Sequence, residues 1–388
     1  TLAAVNEDTA APSGQTVSTL FSSHFSDPDG DALAGVAITG NAASTQGVWQ
    51  YFNGAWTTIG SPSESTALVL AAGTLLRFLP AANFNGAVPA LTAYLIDNSG
   101  GAVTTGALLD VSVNGGQTRF SDVSIDLTTS ITAVNDTPVV PASATTVGAT
   151  EQTAAALLGS VTVSDVDLDN KNGGNGDYNG ASFAVQRGLA NAQDTFAFGS
   201  GGLFTVSGGN LQVGGLTFAT FTSTGGVLTI NFDSSAATAT TALVNDVIEH
   251  IRYTNSSDAP PSSVTLNYAL NDGAPGAGQG SGGAASAGGS VIVNITAAND
   301  AYTGGANVTG TAAEDQVLTA VSTLADPDGL GPLHYQWQHD VGGGYVNVGA
   351  DQATYTLGDA DVGGTVRVVV SYTDQQGFAN STNSTATA

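Results

Sequence analysis

The sequence has no cysteine and no methionine, and it sets only six Lys and Arg against 32 Asp and Glu in 388 positions. Without cysteine there is no disulfide and no thiol chemistry, and a Zn2+ centre could draw only on His24, His250, His334 and His339. Without basic patches the chain cannot neutralise phosphates. That excludes nucleic acid as a partner, and a purely electrostatic hold on anionic lipid. No apolar run of about 20 residues reads as a membrane span, and no signal peptide is legible. The missing Met at position 1 leads us to expect an internal segment of a longer chain. Charge is scarce as well as one-sided, at 10% of residues where an ordinary soluble protein has about 25%.

The acid is concentrated rather than spread. The run SDPDGD holds Asp27, Asp29 and Asp31; SDVDLD holds Asp165, Asp167 and Asp169; ADPDG holds Asp326 and Asp328. Each has a Glu upstream: Glu7 (followed by Asp8), Glu151, and Glu314 (followed by Asp315). Each has an aromatic-bearing strand downstream that ends at Asp97, Asp272 or Asp374. Asn135-Asp136 in AVND and Asn299-Asp300 in AAND stand at two joins. Over half of the carboxylates fall in these motifs. Clustered like charges repel, so bound cations are expected to neutralise them. The plainer alternative is a solvated acidic surface.

Between the acidic runs, apolar residues alternate in short stretches punctuated by Gly, Asn and Pro, the pattern of β-sandwiches or barrels. GVWQYF (47–52), LVLAAGTLLRFLP (68–80), ALTAYLIDNSGG (90–101), ALLDVSV (107–113) and FSDVSIDLTTSITAV (120–134) predict strands in a first domain, 1–135. Pro138 and Pro141 mark a linker into a larger domain, 136–299, because Pro leaves no ladder donor. Leu243, Val247 and Ile251 recur at i+4, which predicts a helix of two or three turns within 236–254. GAPGAGQGSGGAASAGG (273–289) is expected to be a flexible hairpin loop. A third domain, 300–388, carries LHYQWQHD and TVRVVVSYTD. Trp49, Trp56 and Trp337 are expected in cores, and His334 and His339 in structural roles. Repeats of this size are domains in tandem rather than turns of a solenoid.

Ca2+ takes six to eight oxygens in flexible geometry and accepts carboxylates and carbonyls. Asp-x-Asp-x-Asp on a turning chain presents alternate carboxylates to one side, with Gly30 allowing the turn and Pro28 stiffening it. The upstream Glu and downstream Asp are expected at the same pole, met by Asn-Asp from the join. Mg2+ fits less well, since it resists giving up its waters. No segment is a proper EF-hand loop.

These residues resemble the cadherin-like and bacterial immunoglobulin-like repeats of large secreted adhesins, the RTX type exported by type I secretion. AVND-T-P at 133–138 resembles their interdomain linker. The stretch from Leu324 to Asp374, with ADPDG, YQWQ and ATYTLGDADVGGTVRVVVSYTD, resembles one of their commonest modules. The resemblance implies an all-β chain of tandem Greek-key sandwiches with Ca2+ at the domain junctions. It implies Ca2+ ligands at the acidic and Asn positions named above, and an extracellular place at a bacterial cell surface or biofilm matrix. Leu330 departs from it, standing where a third Asp would fall.

The function so expected is a Ca2+-stabilised structural or adhesive region, with neighbouring repeats as its partners. Two alternatives stay open: a glycan- or peptide-binding module meeting a cell-surface ligand, and a subunit of a filament built from other copies. A glycosidase would need two free carboxylates. The Asp runs are already accounted for as metal ligands and no nucleophile motif appears, so no enzyme is expected and no catalytic residue is named.

Overall fold

A computed structural model of the chain describes residues 1–43, 45–141, 145–159, 161–273 and 278–387. The architecture is all-β, in several sheets. Contacts gather it into two compact units. One is Thr1–Thr137 with Asp165–Lys171 and Gly273–Ala285; the other is Pro138–Ser164, Asn172–Asp272 and Ser286–Ala388.

In the first unit a five-stranded sheet runs Leu108–Leu109, Ala67–Ala71, Leu33–Asn41, Leu91–Asp97, Ile125–Leu127, and a four-stranded sheet runs Gln15–Thr16, Leu75–Pro80, Gly47–Phe52, Trp56–Thr58. Their inner faces share one core, which includes Val36, Ile38, Leu70, Leu91, Trp49, Leu76 and Phe78. Period 2 explains the selection: along GVWQYF the buried residues alternate, and Trp49 meets Phe78 edge-on at 5.3 Å. Trp56 is only half-buried, and Arg77 stacks over it at 4.0 Å.

The stretch 120–134, expected as one strand, divides. Ile125–Leu127 joins the five-stranded sheet, whereas Ser130–Thr132 pairs in parallel with Val5–Asn6. The reason lies at Thr128 and Thr129, whose carbonyls accept from Leu2 and Val88 and so leave the first sheet. ALLDVSV similarly stops after Leu109, because Asp110 takes the amide and hydroxyl of Ser112 and closes a turn.

In the second unit an eight-stranded sheet runs Thr145–Thr150, Ser286–Thr296, Ser263–Asn271, Ser182–Arg187, Val227–Phe232, Leu216–Thr224, Asn210–Val213, Thr205–Ser207. A three-stranded sheet adds Ala155–Ala156, Ile251–Asn255 and Asp194–Phe198. The helix expected within 236–254 is Thr241–Glu249, capped by Thr240 and burying Leu243, Val244, Val247 and Ile248. It ends there because Ile251, Tyr253 and Asn255 switch to buried alternation and pair with Asp194–Phe198. The glycine-rich segment is not a free loop throughout. Ser286–Gly289 already pair with Tyr268–Asn271, and a Cβ at Gly288 would meet the Tyr268 carbonyl at 2.3 Å. Residues 274–277 of that loop lie outside the described residues.

The same unit holds two further sheets. One is Ala306–Thr309, Val317–Ser322, Thr354–Thr356; the other is Val346–Val348, His334–Asp340, Thr365–Thr373, Ala379–Asn383. Trp337 is fully buried between them, stacked on Tyr355 and donating Nε1–H to the Gln352 carbonyl at 3.0 Å. Asp361 lies beside this core, with His339 Nδ1 at 2.6 Å, and accepts from Tyr355 Oη (2.9 Å) and the Gly358 amide (3.0 Å). Burial pushes its carboxyl up, but the Gly358 amide, His339 and Tyr355 outweigh that and hold it below the ordinary Asp value. The folded state thus binds this proton less readily than the unfolded one. The stability it contributes is present above the unfolded Asp value and is lost as pH falls through the folded value. Asp361→Ala is expected to cost about 1.5–3 kcal/mol at neutral pH, the worth of hydrogen bonds to a charged group. In urea melts the deficit should shrink toward pH 3; an equal deficit at both pH values would refute the electrostatic account.

Candidate metal centres at two linkers

The parallel strand pairs set the geometry of both linkers. In the first unit the Glu7 amide donates to the Thr132 carbonyl, and in the second the Glu151 amide donates to that of Thr296. Each Glu therefore sits at the end of a strand that lies beside the last strand, in chain order, of its sheet, where the chain leaves it. Each then clamps that exit. Glu7 Oε1 accepts the Val134 amide, and Glu151 Oε2 accepts the Ala298 amide at 2.9 Å. Both Glu side chains are buried. Two residues on, the linker aspartates repeat the pattern: the Asp136 amide donates to Asp167 Oδ2 (2.8 Å), the Asp300 amide to Asp328 Oδ2 (2.7 Å).

The acidic runs also fold alike. Asp27, Asp165 and Asp326 each accept, on Oδ1, the amide two residues ahead (2.8, 3.0 and 2.9 Å). In SDPDGD and ADPDG the turn closes through Gly30 and Gly329 at positive φ. SDVDLD, with neither Pro nor Gly, winds into the helical turn Val166–Asp169, which Asp165 caps.

The second linker brings five expected residues together. Glu151, Asp300 and Asp328 offer carboxylate oxygens within 4.8 Å of one another, and Asp326, Asp328 and Asp374 form a second such group. Asp328, fully buried, belongs to both. Tyr372 Oη (2.6 Å) and Asn380 Nδ2 (3.4 Å) donate to Asp326, and the Gln376 and Phe378 amides to Asp374. Burial, followed by the charges of Asp328, Asp300 and Asp258, pushes Glu151 up against the pull of the Ala298 amide. Burial, then Asp300, Asp374 and Asp326, does the same to Asp328 against its bond from the Asp300 amide. Among the described residues no Arg, Lys or His forms an ion pair with any of these five carboxylates. Glu151 Oε1 and Asp328 Oδ1 are buried with no hydrogen-bond partner. The fold treats another buried acid differently: Asp194 is held by Arg187, Tyr253 and Asn255.

At the first linker Asp136 is pushed up by burial and by Asp8, Asp167 and Glu7, and its Oδ2 is buried with no partner. Asp8 accepts the Asn83 amide, and Asn85 Nδ2 donates to Glu7 Oε2 at 3.1 Å. Asp165 is buried and Asp169 accepts its amide. Asn135 is fixed by the glycine-rich segment, bonding Ser281 and Gly283.

Asp27, Asp29, Asp31 and Asp97 form their own cluster at the surface, where partial burial and the charges of Asp27, Asp97 and Asp29 push Asp31 up. Glu7 was expected beside that run; the structure instead sets it on the Val134 amide, two residues before Asp136, whose own amide is held by Asp167 of the next run. Asp272 is fully buried after the strand Ser263–Asn271, and Asn299 is exposed. Glu314 and Asp315 are exposed. Hydrogen bonding with Asp359 pushes Glu314 up, and Asp315 has φ 61°, like Asp8 (60°) and Gln152 (54°). Gln152, Asp258 and Asn380 at the second linker went unrecognised in the sequence. The residue after each upstream Glu was the one signal that could have found Gln152.

The donor sets fit a hard cation. They are all oxygen, without His, and at the second linker the carboxylate oxygens of each group lie within 4.8 Å of one another, close enough to share one Ca2+. Another group, Asp246, Glu249 and His250, closes the helix Thr241–Glu249 instead. Asp246 Oδ2 there accepts the Leu203 amide, and its carbonyl meets His250 Nδ1 at 2.8 Å.

No protein-family model matches the chain, and no curated protein matches it. Among solved structures it is similar to human CDH23 EC21-23 at 12% identity, over 99% of this chain and 96% of that one, with a TM-score of 0.37. It is similar to mouse Protocadherin-24 EC1-3 at 11% identity, over 88% and 90%, with a TM-score of 0.33. It is also similar to a tetra-tandem repeat in the extending region of a large adhesion protein, at 12% identity over 92% and 67%, with a TM-score of 0.23.

Proposed function

We propose that the chain is a Ca2+-stabilised structural and adhesive repeat region of an extracellular, bacterial cell-surface protein, built from domains 1–135, 136–299 and 300–388. The observation that carries this reading is the buried pair Glu151 Oε1 and Asp328 Oδ1, charged oxygens with no partner in an all-carboxylate group. Glu151, Asp300, Asp326, Asp328 and Asp374 would hold Ca2+ at one linker, and Glu7, Asp8, Asp136 and Asp167 at the other. Bound there, the ion supplies the positive charge that the side chains lack. The chain's own residues do the rest. Glu7 and Glu151 hold the departing backbone by its amide, and Asp167 and Asp328 hold it two residues later, so each linker is tied to both of its flanking domains. Extracellular modules of this kind bind with Kd on the order of 10⁻⁴ to 10⁻³ M. Such sites stay empty in a cytoplasm and fill outside the cell, which couples stiffening to export. Neighbouring repeats are the immediate partners, and a surface glycan or protein is the outer one.

Equilibrium dialysis of chelator-treated protein tests the reading. At least two Ca2+ per chain are expected with Kd near 10⁻⁴ to 10⁻³ M. Less than one ion per chain at 10 mM would end it.

A further inference from the structure

The two linkers share the clamp of the departing backbone by Glu and of the linker Asp amide by the following acidic run, which makes their differences informative. After the clamping Glu, at the same left-handed backbone position, the first has Asp8 and the second has Gln152. Asp8 adds negative charge beside Asp136. Gln152 does the opposite. Its amide Nε2 donates to Asp258 Oδ1 at 2.7 Å and reaches Asp300 Oδ2 at 3.5 Å, occupying with two donors the side of Asp300 where the first linker has an acid. The acidic runs differ in the same sense: Asp169 accepts the Asp165 amide in the first, whereas its counterpart in the second is the exposed Leu330. Ca2+ affinity in such sites is tuned by ligand charge and rigidity.

Resting on the Ca2+ reading above, the geometry points to Gln152 as the residue that makes the second linker the weaker, later-filling cation site, so that the chain takes up Ca2+ in two steps. The carboxamide partly satisfies Asp258 and Asp300 without an ion, and a cation at Asp300 must share that oxygen with it. At the matching position the first linker has the acid Asp8, which accepts the Asn83 amide and adds its charge beside Asp136.

The experiment is a Ca2+ binding isotherm by calorimetry on the whole chain and three variants. Wild type is expected to show two phases separated by about tenfold in Kd. Asp136→Asn should remove the tighter phase and leave the weaker. Gln152→Asp should tighten the weaker phase about tenfold and merge the two, with Gln152→Glu a second route to the same charge should the shorter side chain disturb the turn. A single phase in wild type overturns the inference, as does loss of the weaker phase in Asp136→Asn or unchanged affinity in both Gln152 variants. The Ca2+ reading survives each of those results. No Ca2+-dependent heat in any protein defeats both.

Discussion

The melting temperature of chelator-treated protein should rise by about 5–10 °C for each linker that fills as Ca2+ is titrated in. The estimate follows from linkage. An ion bound only by the folded form stabilises it by about 2.7 kcal/mol at a hundredfold excess over Kd, and 1 kcal/mol moves the midpoint of a domain this size by about 2–4 °C. The structural source is the buried, mutually repelling set around Asp328 and Glu151, whose charged forms are disfavoured by burial and by one another. Mg2+ at equal concentration should do much less, because it holds its waters and demands tighter octahedral geometry. Equal shifts with both ions would point to general screening of a chain of net charge −26. No shift with either would return the acidic runs to solvated surface.

Asp328→Asn should invert the order of stability between the two conditions. Asp328 is the one carboxylate common to both three-acid groups of the second linker, and it is fully buried. Without a cation its charge is a cost, so the amide should stabilise the protein by about 1–3 kcal/mol, the usual cost of a buried polar atom without a partner. The Asn oxygen can still accept the Asp300 amide, which keeps the linker clamp. In saturating Ca2+ the variant has lost a charged ligand and should melt below wild type. The midpoints measured in EDTA and in 10 mM Ca2+ should therefore cross. A variant weaker than wild type in both would show that Asp328 serves packing and hydrogen bonding alone.

Much of the architecture was legible because it is written in local chemistry. Period-2 burial along GVWQYF and SVTLNYALN follows from the pleat. The Asp-x-Asp turns follow from short side chains that capture their own backbone. The i+4 spacing within 236–254 found the helix, but not its end at Glu249, since the strand pairing of Ile251–Asn255 overrides helical spacing. The split at Thr128–Thr129 was illegible for the same reason, as the carbonyls that break the strand are taken by Leu2 and Val88, far away in sequence.

The acids show the division most clearly. The sequence by itself determined their number, their grouping into runs with an upstream Glu and a linker Asp, and the scarcity of basic side chains to neutralise them. Only the tertiary structure decided which acids meet. Parallel pairing of the first strand with the last carries Glu7 and Glu151 to the exit pole of their sheets. They therefore close on Asp136 and Asp300, whose amides are held by the following run, at Asp167 and Asp328, rather than by the run nearest the Glu in the chain. Burial follows from the same docking. A carboxylate is costly only where folding removes its water, and no residue count reveals that Asp328 is enclosed while Asp29 stays in solvent.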